Sequence, residues 1–341
     1  VQGIDVPKVS AWLAANISGA EPPFEFELIA GGRSNLTFRV TDANGVRRVL
    51  RRPPLGHVLA TAHDMAREHR IIAAVGTTQV PVAPALGLCE DPEVNGAPFY
   101  VMGFVDGVVL DSADKAALLP PELRPAAAHH LIDVLADLHA VDVDAVGLGD
   151  LARREGYIER QLRRWTTQWE HSKTRDLPAI DEVAERLARH VPPQQGVVIA
   201  HGDYRFGNCL TDVSVGRIAA VLDWELCTLG DPLADVGYLG VYWDDGLAQT
   251  VVRSNDPTPA GGFPPYRELI ERYATRTGRD LSGIDYYVAF SCWRLAVISE
   301  GVYARYLHGA MGDQGLDLAP MKAGTELLAE RALDAVHRLA S

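Results

Sequence analysis

Long apolar runs are missing from this sequence. No stretch approaches the ~18 residues a membrane-crossing helix requires, and no basic segment followed by an apolar one opens the chain. Both absences lead us to expect a chain that neither spans a membrane nor is secreted. Cysteine is scarce: Cys89, Cys209, Cys227 and Cys292 are the only four, with no C-x-x-C spacing. That argues against a disulfide framework or a zinc site and for reduced thiols in a cytoplasmic protein. Positive charge is in deficit, with 32 Lys and Arg against 45 Asp and Glu, a net −13. Nucleic-acid binding calls for a basic patch, and the same deficit argues against an anionic membrane surface, so neither is an expected partner. Internal repeats, heptads and low-complexity tails are absent as well. The chain does not begin with Met, and its numbering reads as that of a trimmed chain.

What is present is a globular composition, 47% hydrophobic and 23% charged, both ordinary values. At 341 residues the chain can bury a core for one large or two modest domains. The most informative stretch runs from Val197 to Gly237. Two short β-branched segments, Val197–Ala200 and Ile218–Leu222, read as buried strands. Each ends in acid: His201-Gly202-Asp203 after the first, Asp223-Trp224-Glu225 after the second. Asn208 lies between them. Carboxylates where buried strands end are costly unless used. Phosphoryl transfer would use them all: a carboxylate to orient the attacking hydroxyl, hard oxygens for Mg²⁺, and a cation near the transferred group. Asp203 suits the first role, Asn208 and Asp223 the second, Arg205 the third. The pattern H-x-D-x-R-x-x-N followed by a strand ending in Asp follows the kinase catalytic loop. Any one of these residues alone would read as a turn or cap.

These residues, with Leu50–Pro54 (LRRPP), Phe99–Gly107 (FYVMGFVDG), Gln161–Glu170 (QLRRWTTQWE), Leu222–Tyr238 (LDWELCTLGDPLADVGY) and Ala289–Gly309 (AFSCWRLAVISEGVYARYLHG), carry a resemblance. The chain resembles the aminoglycoside phosphotransferase and choline kinase-like family of small-molecule kinases. Within it, the chain is similar to the kinase-like domain of multidomain acyl-CoA dehydrogenases and its free-standing bacterial relatives. The likeness runs from about Phe26 to about Gly309. It implies an α+β, bilobal protein-kinase-like fold. The N-lobe, 1–105, would hold a five-stranded antiparallel sheet with helices and bind nucleotide. The C-lobe, 106–341, would be mainly helical and carry the catalytic loop and substrate site.

Along the chain, 5–19 has one apolar helical face, and strands follow at Phe24–Leu28, Leu36–Thr41 and Val46–Arg52, with an Asn-Gly turn between the last two. In a kinase fold the first turn, Gly31-Gly32-Arg33-Ser34, lies over ATP phosphates, with Ser34 as a donor; a plain hairpin turn is an equal reading. The resemblance puts Arg51 where protein kinases carry a phosphate-binding Lys, with Arg48 and Arg52 as alternatives. Glu68 is the acid in the middle of the helix at 61–75, capped by Thr61 or Asp64, and so the natural partner for Arg51. Asp91–Gly96 reads as a turn. Gly103 and Val105 would, by resemblance, offer backbone groups to adenine.

Helices are expected near 121–140, 155–171, 181–190, 265–277, 284–306 and 318–340. His139 reads as packed or capping. Arg160, Arg163 and Arg164 either line a site for a phosphate-bearing or acyl-CoA substrate or form the solvated face of an amphipathic helix. The family places an Asp such as Asp235 behind the catalytic loop, as support together with His201. Arg294 and Glu300 are candidate structural partners, and 252–264 is a candidate mobile loop over the substrate.

The expected activity is an ATP- and Mg²⁺-dependent phosphotransferase acting on a small-molecule hydroxyl, with a hydroxyacyl-CoA as the acceptor the resemblance implies. The alternatives are an aminoglycoside or amino-alcohol kinase, a non-catalytic nucleotide-binding regulator, and a metal-dependent phosphohydrolase.

Overall fold

The alternating segments near the N-terminus fold as a sheet. The computed structural model describes residues 1–30, 35–55, 64–243, 256–309 and 317–339. In it β1 (Glu25–Ala30), β2 (Leu36–Thr41), β3 (Arg47–Arg52), β4 (Ala85–Cys89) and β5 (Phe99–Gly103) form a five-stranded sheet in the order β1-β2-β3-β5-β4. Every neighbouring pair is antiparallel. The β2–β3 connection is set by Asp42, whose Oδ1 accepts from the Asn44 and Val46 N–H groups at 2.9 Å each, and by Gly45 at φ +76°.

One sheet face carries Phe38, Val40, Leu50, Phe99 and Val101. Against it packs α1 (Val6–Asn16), through Val9 and Leu13. Each apolar side chain fully buried there contributes roughly 1.5–3 kcal/mol. The other face meets α2 (Met65–Val75), capped by Asp64, which accepts from the Arg67 N–H. Thr61, the other cap candidate, lies outside the described residues, as do Gly31, Gly32, Arg33 and Ser34. Asp91–Gly96 is not a bare turn. Asp91 caps it, Pro92 opens it with its fixed φ, and Gly96 closes it at φ +71°, so it forms one helical turn, α3 (Pro92–Asn95). These elements, Val1–Gly107, make one compact unit together with Asp144–Leu148 and Ala219–Glu225. The unit expected as 1–105 thus also takes two later segments.

The second unit comprises Val108–Val143, Gly149–Ile218 and Leu226–Ser341. Its helices are α4 (Ala113–Ala116), α5 (Arg124–His139), α6 (Tyr157–Ser172), α7 (Pro178–Arg189), α8 (Pro232–Val241), α9 (Tyr266–Thr277), α10 (Ile284–Leu307) and α11 (Ala319–Leu339). The short strands are β6 (Val198–Ala200), β7 (Cys209–Asp212), β8 (Arg217–Val221), whose last three residues enter the first unit, and β9 (Thr228–Gly230). Helix α10 is the core expected from its aromatic pattern: Tyr287, Phe290 and Trp293 are buried, and it packs on α6, α7, α8 and α11. Helix α8 passes so close that a Cβ on Gly237 would lie 2.6 Å from the Tyr287 backbone.

Arg294 and Glu300 do not pair. Six residues apart on a helix, they point in different directions; Glu300 instead accepts from Thr174 and Arg175. The described part of 252–264 is held down, with Arg124 donating to the Ala260 and Gly261 carbonyls and Phe263 packed on Phe206. Residues 252–255 lie outside the described residues. All four cysteines are free and buried, and burial pushes the Cys209 thiol up to about 12. Among the described residues no helix is long and apolar enough to cross a membrane.

Candidate active site

The stretch from His201 to Asn208 leaves β6 and is fixed at several backbone groups, above all in His201, Gly202 and Asp203. Asp235, in the first turn of α8, accepts from the His201 N–H at 2.6 Å and the Gly202 N–H at 2.8 Å. Asp235 is itself held by His139 Nε2 at 3.2 Å, while His139 Nδ1 meets the Tyr273 hydroxyl at 2.7 Å. His139 is therefore a packed histidine. Burial opposes the charge on Asp235, but His139, His201 and the Gly202 N–H outweigh it and hold the carboxyl below the usual aspartate range.

From the other side Arg294 of α10 donates to the Gly202 carbonyl at 2.6 Å. Gly202 sits at φ +83°, where a Cβ would also lie 2.8 Å from the Leu226 carbonyl, so glycine is required there. The Tyr204 hydroxyl donates to the Leu131 carbonyl at 2.7 Å, tying the loop to α5. The Asp203 N–H donates to His201 Nδ1 at 3.2 Å.

Backbone fixation leaves the Asp203 carboxylate partly exposed. Its one ion-pair partner among the described residues is Arg205, Nε at 3.4 Å from Oδ1. Arg205 in turn lies over Tyr242, 4.8 Å from the ring centre. Burial opposes the charge of Arg205, and Asp203 restores it, so the guanidinium stays protonated. Asn208 donates from Nδ2 to the Asp203 carbonyl at 2.8 Å. That turns its Oδ1, a hard oxygen, away from the loop.

In the first unit, Asp223 follows β8 in the left-handed region, at φ +61°, which Asp tolerates better than most residues. The chain is placed there by the Val221 N–H, which donates to the Pro81 carbonyl at 2.8 Å. Asp223 Oδ1 accepts from Arg51 Nη2 at 2.7 Å, and Arg51 Nε donates to Glu68 Oε2 at 3.0 Å. One guanidinium edge thus spans two carboxylates. Burial works against the charge on Arg51, yet Glu68, then Tyr100 and Asp223, hold it protonated above its ordinary range. Glu68 is buried, and burial pushes its carboxyl up, opposed by Arg51. The alternatives to Arg51 are engaged elsewhere: Arg48 pairs with buried Asp42 at 2.7 Å, and Arg52 donates to the Gly3, Asn95 and Pro53 carbonyls.

Each unit taken by itself offers groups whose chemistry suits magnesium or phosphate: in the second, Asn208 Oδ1 is a hard oxygen, and in the first the second Asp223 oxygen is another and Arg51 Nη1 a further donor. Among the described residues no three His, Cys, Asp or Glu side chains cluster as a metal site. A Mg²⁺ held mainly by phosphate oxygens and water needs no such cluster.

The remaining expected residues are less engaged with this centre. The Gly103 N–H donates to the Pro84 carbonyl at 2.8 Å; Val105 follows β5. Arg163 and Arg164 are exposed on α6, Arg164 beside the Trp165 ring, and Arg160 donates to the Arg153 carbonyl. Sequence reasoning missed the Arg51–Asp223 pair and the hold of Arg294 on Gly202. Partners 172 and 92 residues apart leave no periodic trace.

The family model described as "Phosphotransferase enzyme family" matches residues 25–269. Acyl-CoA dehydrogenase family member 10 of Mus musculus is 35% identical over 318 residues, 92% of this chain and 29% of that protein. The chain thus spans less than a third of that relative's length. A crystal structure from Ralstonia eutropha JMP134, assigned provisionally as an aminoglycoside phosphotransferase, shares 34% identity, covers 98% of both chains and superposes with a TM-score of 0.82. A ternary complex of aminoglycoside phosphotransferase APH(4)-Ia with AMP-PNP and hygromycin B has the same fold, with 16% identity, 96% and 98% coverage and a TM-score of 0.62.

Proposed function

The chain belongs to the phosphotransferase enzyme family, and from that premise we propose that it moves the γ-phosphoryl group of ATP to a hydroxyl of a small molecule. The observation that carries this reading is Asp203, a carboxylate left reachable on a loop whose backbone is fixed by Asp235 and Arg294. Rigid placement of one carboxylate suits in-line phosphoryl transfer, where positioning supplies most of the rate. Asp203 orients the acceptor hydroxyl and takes its proton. Arg205 offsets charge on the group in transfer. Arg51, ordered by Glu68, holds the ATP phosphates, and Ser34 adds a donor. Gly103 and Val105 offer backbone groups to adenine. Asn208 and Asp223 hold Mg²⁺. When bound, that ion neutralises charge on the phosphate oxygens.

For the acceptor we favour an anionic hydroxy compound of the hydroxyacyl-CoA type. The similarity to a protein named for acyl-CoA dehydrogenation supports it, as does Arg205 beside Asp203. Arg160, Arg163 and Arg164 are the further residues to test for its phosphates. An aminoglycoside acceptor is the second reading, favoured by the hygromycin B complex that shares the fold. A coupled ATP-consumption assay with Mg²⁺ across hydroxyacyl-CoAs of graded chain length and common aminoglycosides separates them. Turnover with a hydroxyacyl-CoA is the expected result. Turnover with an aminoglycoside alone replaces the acceptor, and ATP binding without turnover on either panel favours a nucleotide-binding regulator.

A further inference from the structure

Glu68 is only 2% exposed, and a buried carboxylate is costly unless fully hydrogen-bonded. One ion pair with Arg51 would leave Oε1 bare and the carboxylate free to turn. Two other side chains complete it. Asn35 donates from Nδ2 to Oε1 at 2.9 Å, and the Tyr100 hydroxyl donates to Oε2 at 3.1 Å. Both are buried, at 4% and 2% exposure.

The sheet register makes this convergence possible. Arg51 lies opposite Thr37 on β2 and opposite Tyr100 on β5. Asn35 precedes Thr37 by two residues and so shares its face. Strands β3 and β5, and the residue that leads into β2, thus each aim one donor at a single carboxylate on α2. The cost is visible at Asn35: its Oδ1 is buried with no partner among the described residues. A buried acceptor without a partner calls for a reason.

We propose that Tyr100 and Asn35 are positioning residues for nucleotide binding, locking Glu68 so that Arg51 presents its remaining donors in one fixed direction. Glu68 takes Nε, Asp223 takes Nη2, and Nη1 is left to meet phosphate. Released from Glu68, the same guanidinium edge can close side-on upon Asp223, which ties up an oxygen that would otherwise serve magnesium. The inference rests on the reading that Arg51 holds ATP phosphates.

The test is calorimetric titration of the full chain with Mg·ATP in a double-mutant cycle. Tyr100→Phe removes the hydroxyl and keeps the ring in its place. It is expected to weaken Mg·ATP binding about tenfold, the scale of a lost hydrogen bond to a charged group. Asn35→Ala removes the second donor independently and is expected to do the same, with both variants folded by circular dichroism. In an Arg51→Ala background, Tyr100→Phe is expected to change affinity by less than about twofold, since nothing remains to be aimed. Equal loss in both backgrounds means a general structural role and overturns the inference. So does wild-type affinity in Tyr100→Phe and Asn35→Ala while Arg51→Ala binds poorly, an outcome that leaves the phosphate role of Arg51 standing. Wild-type affinity in Arg51→Ala overturns that role and this inference with it.

Discussion

Asp203 and Asp235 are both carboxylates at the loop that leaves β6, yet their settings differ. Asp203 keeps its charge reachable, with Arg205 alongside. Asn at that position keeps the shape and removes the proton acceptor. Asp203→Asn is therefore expected to abolish transfer while Mg·ATP affinity stays within several-fold, measured by turnover and titration side by side; equal loss of both would refute the assignment. Asp235 is spent on the backbone. Its folded pKa is depressed below an unfolded value of about 3.9. Its stabilising contribution is thus complete above about pH 4 and lost as pH falls through the folded value. Asp235→Asn is expected to unfold at lower urea than wild type at pH 7, with the gap narrowing below pH 4; a gap that ignores pH would show that charge is not what Asp235 supplies. Asp203, Asn208 and Asp223 were legible because they fall at fixed spacings within one motif. Of the residues that hold the loop, the resemblance placed Asp235 but not Arg294, which looks in sequence like any arginine inside an apolar helix.

Elements were legible where a period and a boundary signal coincided. Strand β2 matches the expected segment residue for residue, and α2 begins at the Asp64 cap. Strand β9 was missed. It is three residues long, too short for any alternation, and exists because Val198–Ala200 pairs with it. The described half of the loop expected to move makes contacts that composition does not signal. Pro and Gly mark irregular backbone, but Arg124 and Phe263, which pin its described half, act from outside the composition rule. The contact of α8 with α10 was equally silent in sequence, and it gives a sharp expectation. Gly237→Ala drives a methyl into the Tyr287 backbone and should cost on the order of 1–3 kcal/mol or more, read from denaturant midpoints. An unchanged midpoint would mean the two helices can part freely.

At the scale of the whole molecule, ligand binding should register as stability. Mg·ATP at about a hundredfold its Kd is expected to add about 2.7 kcal/mol, seen as a rise in Tm, and chelation of Mg²⁺ should remove most of that rise; a Tm indifferent to Mg·ATP would contradict nucleotide binding. The charge balance of −13 limits company rather than shape, since net charge speaks to solubility and association and not to fold. The placement of sulfur has its own consequence. Cys89 lies in the core of the first unit, and Cys209, Cys227 and Cys292 lie in the second. An alkylating reagent meets no thiol on the native protein, so each sulfur can be capped only when its surroundings open. Mass spectrometry of the capped peptides over time would then work as a pair of clocks, one timing the breathing of the first unit through Cys89 and the other that of the second through Cys209.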